Sequence, residues 1–177
     1  DARKMFHTDG QTLDIDDVSD FTQGYAVNKF KNIKASDGAP GKDLTFVDTD
    51  FPVFRLADVY LMYAEAVLRG GTGGSESEAV GYINDLRERA YGNTSGNISA
   101  ADLDLDFILE ERARELYWEG HRRTDLIRYG IYTGGDYLWA WKGRTQSGQS
   151  TSDHLSIFPI PDSDINANPN LEQNPDY

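Results

Sequence analysis

Helical spacing of apolar residues between positions 51 and 130 is the feature that most constrains the fold of this chain. In FPVFRLADVYLMYAEAVLRGG, residues 51–71, apolar side chains recur every three or four positions, and two glycines follow as a stop. Ser75 and Glu78 then have the form of a capping box, and a second apolar stripe occupies residues 79–90. Because the connection is short, we expect the two helices to lie antiparallel as a hairpin.

A third helical pattern follows residues 91–97, whose glycines and asparagines break the second one. We expect this third helix to begin after Ser99 as its cap, with Asp102 three residues later. Gly120 interrupts the pattern, and HRRTDLIRYG, residues 121–130, is predicted to continue as a short helix. The predicted buried stripe of the third helix consists of Leu105, Ile108, Leu109, Ala113, Leu116 and Tyr117.

The rest of the chain is predicted to contain little regular structure. Two runs near the N-terminus favour strands, GYAVNKF at residues 24–30 and LTFVD at residues 44–48. The C-terminal part is rich in glycine, proline and asparagine, which favour turns. The sequence therefore predicts a mainly α fold with loops and short strands in residues 1–50, a helical core in 51–130 and an irregular C-terminal segment in 131–177.

Composition excludes several classes of function. Thirty acidic residues against seventeen basic ones give a net charge of -13, and such a surface repels phosphate backbones and anionic lipids. We therefore expect no nucleic-acid partner and no direct binding to an anionic membrane. The absence of cysteine excludes disulfides, thiolate metal sites and a cysteine nucleophile.

No catalytic or metal-binding motif has the spacing it needs. A calcium-binding loop that began at Asp102 would need Gly and Glu where the sequence has Phe107 and Ala113. The three histidines form no H-E-x-x-H motif, and no G-x-S-x-G elbow is present. We therefore expect a protein that is not an enzyme and that uses no metal or other cofactor. A carboxylate pair for glycoside hydrolysis stays open, because the chain has thirty acidic residues.

The stretch ERARELYWEGHRRTDLIRYG carries dense charges of both signs. Glu110 and Arg114 lie four positions apart in the favourable order, and Glu119 and Arg123 would do the same on an unbroken helix. Apolar neighbours indicate partial burial, where arginine stems cover apolar surface and the charged heads must be paired. We interpret the stretch as a structural charge network that consists of Glu111, Arg112, Glu115, Glu119, Arg122, Arg123, Asp125 and Arg128.

The loop after this stretch combines aromatic residues with glycine. Aromatic faces stack on the apolar C–H faces of sugar rings, while polar groups nearby bond the hydroxyls. We therefore predict that Tyr137, Trp139 and Trp141 bind a glycan. The alternative is that YLWAW, residues 137–141, forms a strand whose alternating aromatic side chains pack into the core.

Three segments of the chain resemble, in the same order, three motifs of the SusD/RagB family. FPVFRLADVYLMYAEAVLRGG resembles the family's strand followed by an R-x-A-D-V-x-L-M-Y-A-E-A helix. ERARELYWEGHRRTDLIRYG is similar to E-R-R-x-E-L-x-x-E-G-H-R-x-x-D-L-x-R-x-G, and FPIPDSDINANPNLEQNPDY to the closing F-P-I-P-x-x-E-I-x-x-N-P-x-L-x-Q-N-P-G-Y. The departures are Ala113 where a second Arg is common, Asp164 in place of Glu, and Asp176 in place of the penultimate Gly.

The resemblance implies a mainly α fold with a tetratricopeptide-like helical hairpin, in a binding protein that is not an enzyme. It implies an outer-membrane lipoprotein, exposed on the surface of a Gram-negative bacterium, that binds an oligosaccharide or polysaccharide. The implied partner is a TonB-dependent, SusC-like transporter. Family proteins are longer than this chain, so we expect a C-terminal portion without the N-terminal lipid anchor that would attach the protein to the membrane.

Three other hypotheses stay open at this point. A peptide-binding member of the same family would have the same motifs, because these motifs do not report the ligand. An α-helical glycoside hydrolase would use the abundant acidic residues beside the aromatic ones. A protein-interaction module would use the helical hairpin, residues 56–90, to dock on the transporter.

Overall fold

The helices expected from apolar spacing are present in the computed structural model, which describes residues 1–43 and 45–177. These residues divide into two units, 1–122 and 123–177. Helix is the main regular structure, and within the described ranges no helix is both long enough and apolar enough to cross a membrane. The helices are α1 (Leu56–Leu68), α2 (Glu76–Tyr91), α3 (Leu105–Leu116), α4 (Arg122–Arg128) and α5 (Asp162–Ala167), and the strands are β1 (Phe6–His7) and β2 (Ala26–Val27).

Glycine and a capping box set the connection between α1 and α2. Gly70 has a φ of +86°, which glycine adopts without steric cost, and the Gly71 N–H donates to the Ala66 carbonyl at 2.8 Å. At the start of α2, Ser75 Oγ accepts from the Glu78 N–H at 3.3 Å, and the Glu78 carboxylate accepts from the Ser75 N–H at 3.1 Å. The predicted end of α1 and the predicted start of α2 are both confirmed.

The two helices form the predicted antiparallel hairpin. Tyr63 in the middle of α1 donates its hydroxyl to Glu78 in the first turn of α2 at 2.9 Å. At the other end of the hairpin, Arg55 before α1 and Arg89 near the end of α2 both bond Glu115 of α3. The start of α1 therefore lies beside the end of α2, as a short connection requires.

The apolar core of the first unit lies where α1, α2 and α3 meet. Leu61, Ile83 and Ile108, one from each helix, are 0% exposed and mark its centre. Alanines of α1 and α2 are buried in the same cluster, where a larger side chain would need additional space. The buried cluster consists of Ala57, Leu61, Ala64, Ala79, Ile83, Leu86, Leu103, Ile108 and Leu116.

The start of α3 differs from the sequence prediction. Ser99 donates its N–H and its hydroxyl to the Asp102 carboxylate at 2.9 and 2.7 Å, and these bonds close a single 3₁₀ turn. Leu103 is extended, with φ −92° and ψ 104°, so this turn does not continue into the helix. Asp104 is the actual cap of α3, because its side chain accepts the Phe107 N–H at 2.7 Å.

The buried face of α3 is also less apolar than predicted. Of the predicted stripe, Leu105, Ala113 and Tyr117 are only partly buried. Charged side chains occupy much of the buried face, which is possible because each has an ion-pair partner on another segment. The buried residues of α3 are Ile108, Leu109, Glu111, Arg112, Glu115 and Leu116.

The helix does not continue through Gly120. α3 ends at Leu116, and both Trp118 and Gly120 have left-handed φ values, +62° and +80°. The next helix, α4, begins two residues after the glycine. The pair of Glu119 with Arg123 was expected only on an unbroken helix, and this condition is not met.

Strands are short and few among the described residues. β1 and β2 pair antiparallel, so the strand expected in residues 24–30 is confirmed over two residues. Residues 45–48 form no strand, and Leu44 of the same predicted run lies outside the described residues. The strand expected at YLWAW does not form either, since the chain turns at Trp141, where φ is +69°.

Leu61→Ala is expected to lower the free energy of unfolding by about 2–5 kcal/mol, because it opens a cavity in the centre of the core. Leu56→Ala is the matched control in the same helix, at a side chain that is 61% exposed. There we expect a change within about 0.5 kcal/mol. Urea denaturation followed by far-UV circular dichroism measures both, and equal losses would contradict the placement of the core.

Candidate functional site

Three carboxylates are buried in α3 and in the turn after it. Glu111, Glu115 and Glu119 are 0%, 3% and 4% exposed. They are spaced four residues apart, which places the two helical ones on one face of α3. A buried carboxylate is tolerated only where cations and hydrogen bonds compensate for the lost water. Each of these three accepts bonds from at least two cations of the first unit.

Glu111 is paired with three arginines from different segments. Arg3 of the N-terminal segment donates at 2.6 Å, and Arg87 of α2 donates at 2.7 Å. Arg114, one turn further along α3, donates from Nε at 2.9 Å. Burial by itself raises the pKa of the Glu111 carboxyl, but the bonds and charges of Arg3 and Arg114 outweigh burial and hold this pKa below its usual range.

Glu115 joins both helices of the hairpin to α3. Arg55 donates to it from Nη1 at 2.7 Å, and Arg89 bonds both carboxylate oxygens at 2.6 Å. Arg3 also reaches Glu115, at 3.4 Å, while it bonds Glu111. Because one guanidinium serves two carboxylates, these charges form a connected network and not a set of isolated pairs.

Glu119 fastens the turn that ends α3. Arg55 donates from Nε to its carboxylate at 2.6 Å, and Lys29 donates to the other carboxylate oxygen. Lys29 also bonds the carbonyls of Glu115 and Tyr117, both at 2.9 Å, which a helix C-terminus leaves without intrahelical partners. Burial raises the pKa of Glu119, but the bonds from Arg55 and Lys29 outweigh it and lower this pKa below its usual range.

The other charged residues that the sequence assigned to the network in the first unit have different partners. Arg112 is buried and donates to Asp58 of α1 at 2.8 Å. Arg122 donates to the Leu109 carbonyl and to the Glu110 carboxylate, both at 2.9 Å. These contacts attach α3 to α1 and attach Arg122 to α3.

In the second unit the charged residues also make local contacts. Asp125 accepts from Arg128 at 3.0 Å, a contact that their i,i+3 spacing on α4 allows. Arg123 donates to the carbonyls of Leu155 and Ser156 at 3.0 and 3.1 Å. Across the described ranges, no group of three or more His, Cys, Asp or Glu side chains is arranged to hold a metal ion.

Aromatic rings gather around Trp139 in the second unit. The centroid of the Trp139 ring lies 5.9 Å from that of Tyr132 and 6.1 Å from that of Tyr137. Trp141 has no ring contact within the part of the chain that the structure describes. Tyr137, Trp139 and Trp141 are all partly buried, so each keeps some surface open to solvent. The structure therefore brings two of the three predicted glycan-binding residues together and leaves Trp141 apart.

Two cations pack on these rings, and neither contact was predicted from the sequence. Lys142 is 2% exposed, and its Nζ lies 4.6 Å from the centroid of the Trp139 ring. The guanidinium of Arg123 lies 5.0 Å from the Tyr132 ring and 4.0 Å from the Phe158 ring. Cations over aromatic faces are attracted by the ring quadrupole. A lysine is ordinarily exposed, so no pattern in the sequence marked Lys142 as buried.

Comparison with known proteins identifies the family. Residues 9–177 match the model of the SusD family. The chain belongs to the SusD family. It is 42% identical over 165 residues to the starch-binding protein SusD of Bacteroides thetaiotaomicron, an alignment that covers 93% of this chain and 28% of that protein. It is 38% identical over 124 residues to SusD-like protein P25 of Formosa agariphila, which covers 67% of this chain and 22% of that protein.

Solved structures share the fold of this SusD-family chain. A SusD superfamily protein from Parabacteroides distasonis matches with a TM-score of 0.63 at 28% identity, over 88% of this chain and 32% of that one. Surface glycan-binding protein A from Bacteroides thetaiotaomicron, in complex with laminarihexaose, matches with a TM-score of 0.56 at 26% identity. The match covers 86% of this chain and 29% of that one. The family and the SusD-like, mainly α fold expected from the sequence are confirmed.

The three motifs that carried the family resemblance form internal contacts in the structure. The first motif forms α1, and the second supplies the paired carboxylates of α3. In the third, the Gln173 amide bonds the N–H and the carbonyl of Ile160 at 2.8 and 2.9 Å, and Asn174 donates to the Phe158 carbonyl at 2.7 Å. The side chains of these motifs therefore hold parts of the chain's own scaffold together.

Glu111→Gln is expected to lower the free energy of unfolding at neutral pH by about 3 kcal/mol, because buried cations lose their charged partner. The pKa of Glu111 is lowered in the folded state. Its ionised form therefore stabilises the fold above the unfolded pKa of about 4.3, and this contribution is lost as the pH falls through the lower folded value. The free energy of unfolding that Glu111→Gln removes should therefore be smaller in acid than at neutral pH.

Urea denaturation at about pH 7 and about pH 3 measures this difference. Glu110→Gln is the control, because the neighbouring Glu110 has a side chain that is 48% exposed and is paired with Arg122. An exposed pair of this kind contributes about 0–1 kcal/mol. A Glu111→Gln loss that is equally large at both pH values would contradict the role of the ionised carboxylate.

Proposed function

We propose that this chain is part of a cell-surface protein that binds a glycan and does not alter it chemically. The observation that carries the proposal is its 42% identity, over 93% of its length, to a relative named for starch binding. Its likeness to a glycan-binding protein solved with laminarihexaose supports the same class of ligand. The chain spans about 28% of the length of the first of these relatives, so the proposal concerns the contribution of this part to the whole.

The proposed ligand-binding residues are Tyr137, Trp139 and Trp141. Sugar rings expose apolar C–H faces, and an aromatic ring with an open face can cover them. Tyr137 and Trp139 lie side by side with a centroid distance of 6.1 Å and an angle of 47° between their planes. Two adjacent, partly exposed rings offer apolar surface on which a sugar ring can stack.

Binding without catalysis fits the chemistry of the buried carboxylates. A glycosidase needs one carboxylic acid whose raised pKa keeps it protonated, opposite a second carboxylate. Glu111 and Glu119 instead have lowered pKa values, and each is bonded to cations. Neither can supply a proton to a leaving group near neutral pH, so we propose no hydrolytic role for them.

The proposal extends to location and partner. Membership of the SusD family supports an outer-membrane lipoprotein that is exposed on the surface of a Gram-negative bacterium. A SusC-like, TonB-dependent transporter is the proposed partner, to which the protein would deliver its oligosaccharide or polysaccharide. The names of the similar proteins favour glucans as the first ligands to test, since one is named for starch and another was solved with laminarihexaose.

Trp139→Ala is expected to lower glycan affinity about tenfold, because it removes stacking that contributes about 1.4 kcal/mol. Trp141→Ala should act in the same direction. Trp118→Ala is the control, because this tryptophan is 69% exposed and lies in the other unit. Isothermal titration calorimetry with maltohexaose, laminarihexaose and a panel of other glycans measures the affinities.

Thermal melting must accompany the titrations, since Trp139 also packs on Tyr132 and Lys142. Loss of affinity with an unchanged melting temperature supports the proposed site, whereas loss of the cooperative melt would show that the ring is needed for folding. Binding of peptides but of no glycan by the unaltered chain would move the proposal to the peptide-binding members of the family.

A further inference from the structure

Lys142 is a buried cation without a carboxylate partner among the described residues. It is 2% exposed, and its ammonium donates to the Tyr137 carbonyl at 2.7 Å and to the Thr133 carbonyl at 3.4 Å. Burying a charge is costly unless hydrogen bonds and nearby dipoles replace the lost water. Two carbonyls and one aromatic face provide that replacement here. If the side chain only filled space in the interior, an apolar residue of similar volume would fill it at a lower cost in folding free energy.

The main chain of Lys142 also bonds residues that precede and follow it in the loop. Its N–H donates to the Trp139 carbonyl at 3.0 Å, and its carbonyl accepts from the Gln149 N–H at 3.1 Å. Its neighbours Trp141 and Arg144 have left-handed φ values of +69° and +65°. Residues other than glycine adopt this conformation only when surrounding contacts hold them in it. The bonds of Lys142 are contacts of this kind.

The Trp139 ring is fixed from more than one direction. The Lys142 ammonium lies 4.6 Å from its centroid, and the Tyr132 ring stacks on it at 5.9 Å. Gly148 approaches the Trp139 main chain so closely that a Cβ there would lie 2.5 Å from the carbonyl oxygen. Lys142 connects Trp139 to Tyr137, because its ammonium contacts the ring of Trp139 and bonds the carbonyl of Tyr137.

We propose that Lys142 is the positioning residue of the glycan site: its buried ammonium sets the relative placement of Tyr137 and Trp139, and thereby preforms the surface that receives a sugar ring. This inference rests on the proposed function. At 2% exposure Lys142 does not touch the ligand itself and acts through Trp139. A preformed surface binds more tightly because less conformational entropy is lost on binding.

The absence of cysteine makes a chemical test possible. Lys142→Cys places the only thiol in the chain, which can be alkylated in denaturant before refolding. Bromoethylamine then creates an aminoethyl side chain that matches lysine in length and charge. Propyl bromide creates a side chain of the same length without the ammonium. Lys34→Cys, at an exposed lysine of the first unit, receives both treatments as the control.

Two properties are measured on each refolded protein. Titration calorimetry with laminarihexaose and maltohexaose gives the affinity. The nuclear Overhauser signal between the ring protons of Trp139 and Tyr137, hereafter the Trp139 signal, reports the separation of the two rings. We expect the propyl form at position 142 to bind about tenfold more weakly and to weaken the Trp139 signal, because the two rings move apart. The aminoethyl form should restore both properties, and neither treatment at position 34 should change them.

Several results would overturn the proposal. Propyl and aminoethyl forms with the same affinity and the same Trp139 signal would show that the ammonium positions nothing. If the propyl form does not refold, Lys142→Met gives an apolar side chain of similar length without alkylation, and unchanged affinity with an unchanged Trp139 signal in that variant would equally contradict a positioning role. If the unaltered chain binds no glycan, the proposed function fails, and the Trp139 signal alone decides whether Lys142 positions the ring.

Discussion

The ion pairs of the buried carboxylates in α3 and in the turn after it are the interaction on which the rest of the first unit depends. Glu111, Glu115 and Glu119 form ion pairs with cations of the N-terminal segment, of the residue before α1 and of α2. Their shared cations, Arg3 and Arg55, each bond two of them. A buried charge that loses its partner destabilises a protein strongly, so the segments that supply these cations are held in place together. Dense charge at this point connects these segments through buried ion pairs.

The division between scaffold and recognition follows from this use of charge. The residues that identify the family are engaged in helix packing, buried ion pairs and the bonds of Gln173 to Ile160. Such contacts constrain the fold and are independent of the ligand. The proposed glycan surface lies instead in an irregular loop of the second unit, around Trp139. A loop of this kind can change its side chains without disturbing the core, as ligand-binding loops commonly do.

Local features of the fold could be predicted from the sequence, and contacts between distant residues could not. The capping box at Ser75 and the stop at Gly70 depend on neighbouring residues, and both were predicted. The bond of Lys29 to Glu119 joins residues 90 positions apart, which no periodicity reveals. YLWAW has the composition of a strand, but strand formation depends on a pairing partner, and here the chain turns at Trp141. The buried Lys142 was missed for a similar reason, since its carbonyl partners lie in an irregular loop.

The central claim is that a glycan contacts the aromatic loop of the second unit and not the charged stretch that identifies the family. A ¹⁵N–¹H titration of the chain with laminarihexaose or maltohexaose tests it most directly, because the three tryptophans give three indole N–H signals. The account predicts shifts of the Trp139 and Trp141 signals, while Trp118, which directly follows α3 and Tyr117, stays in place. Movement of Trp118 alone, or of none of the three at saturating glycan, would contradict it.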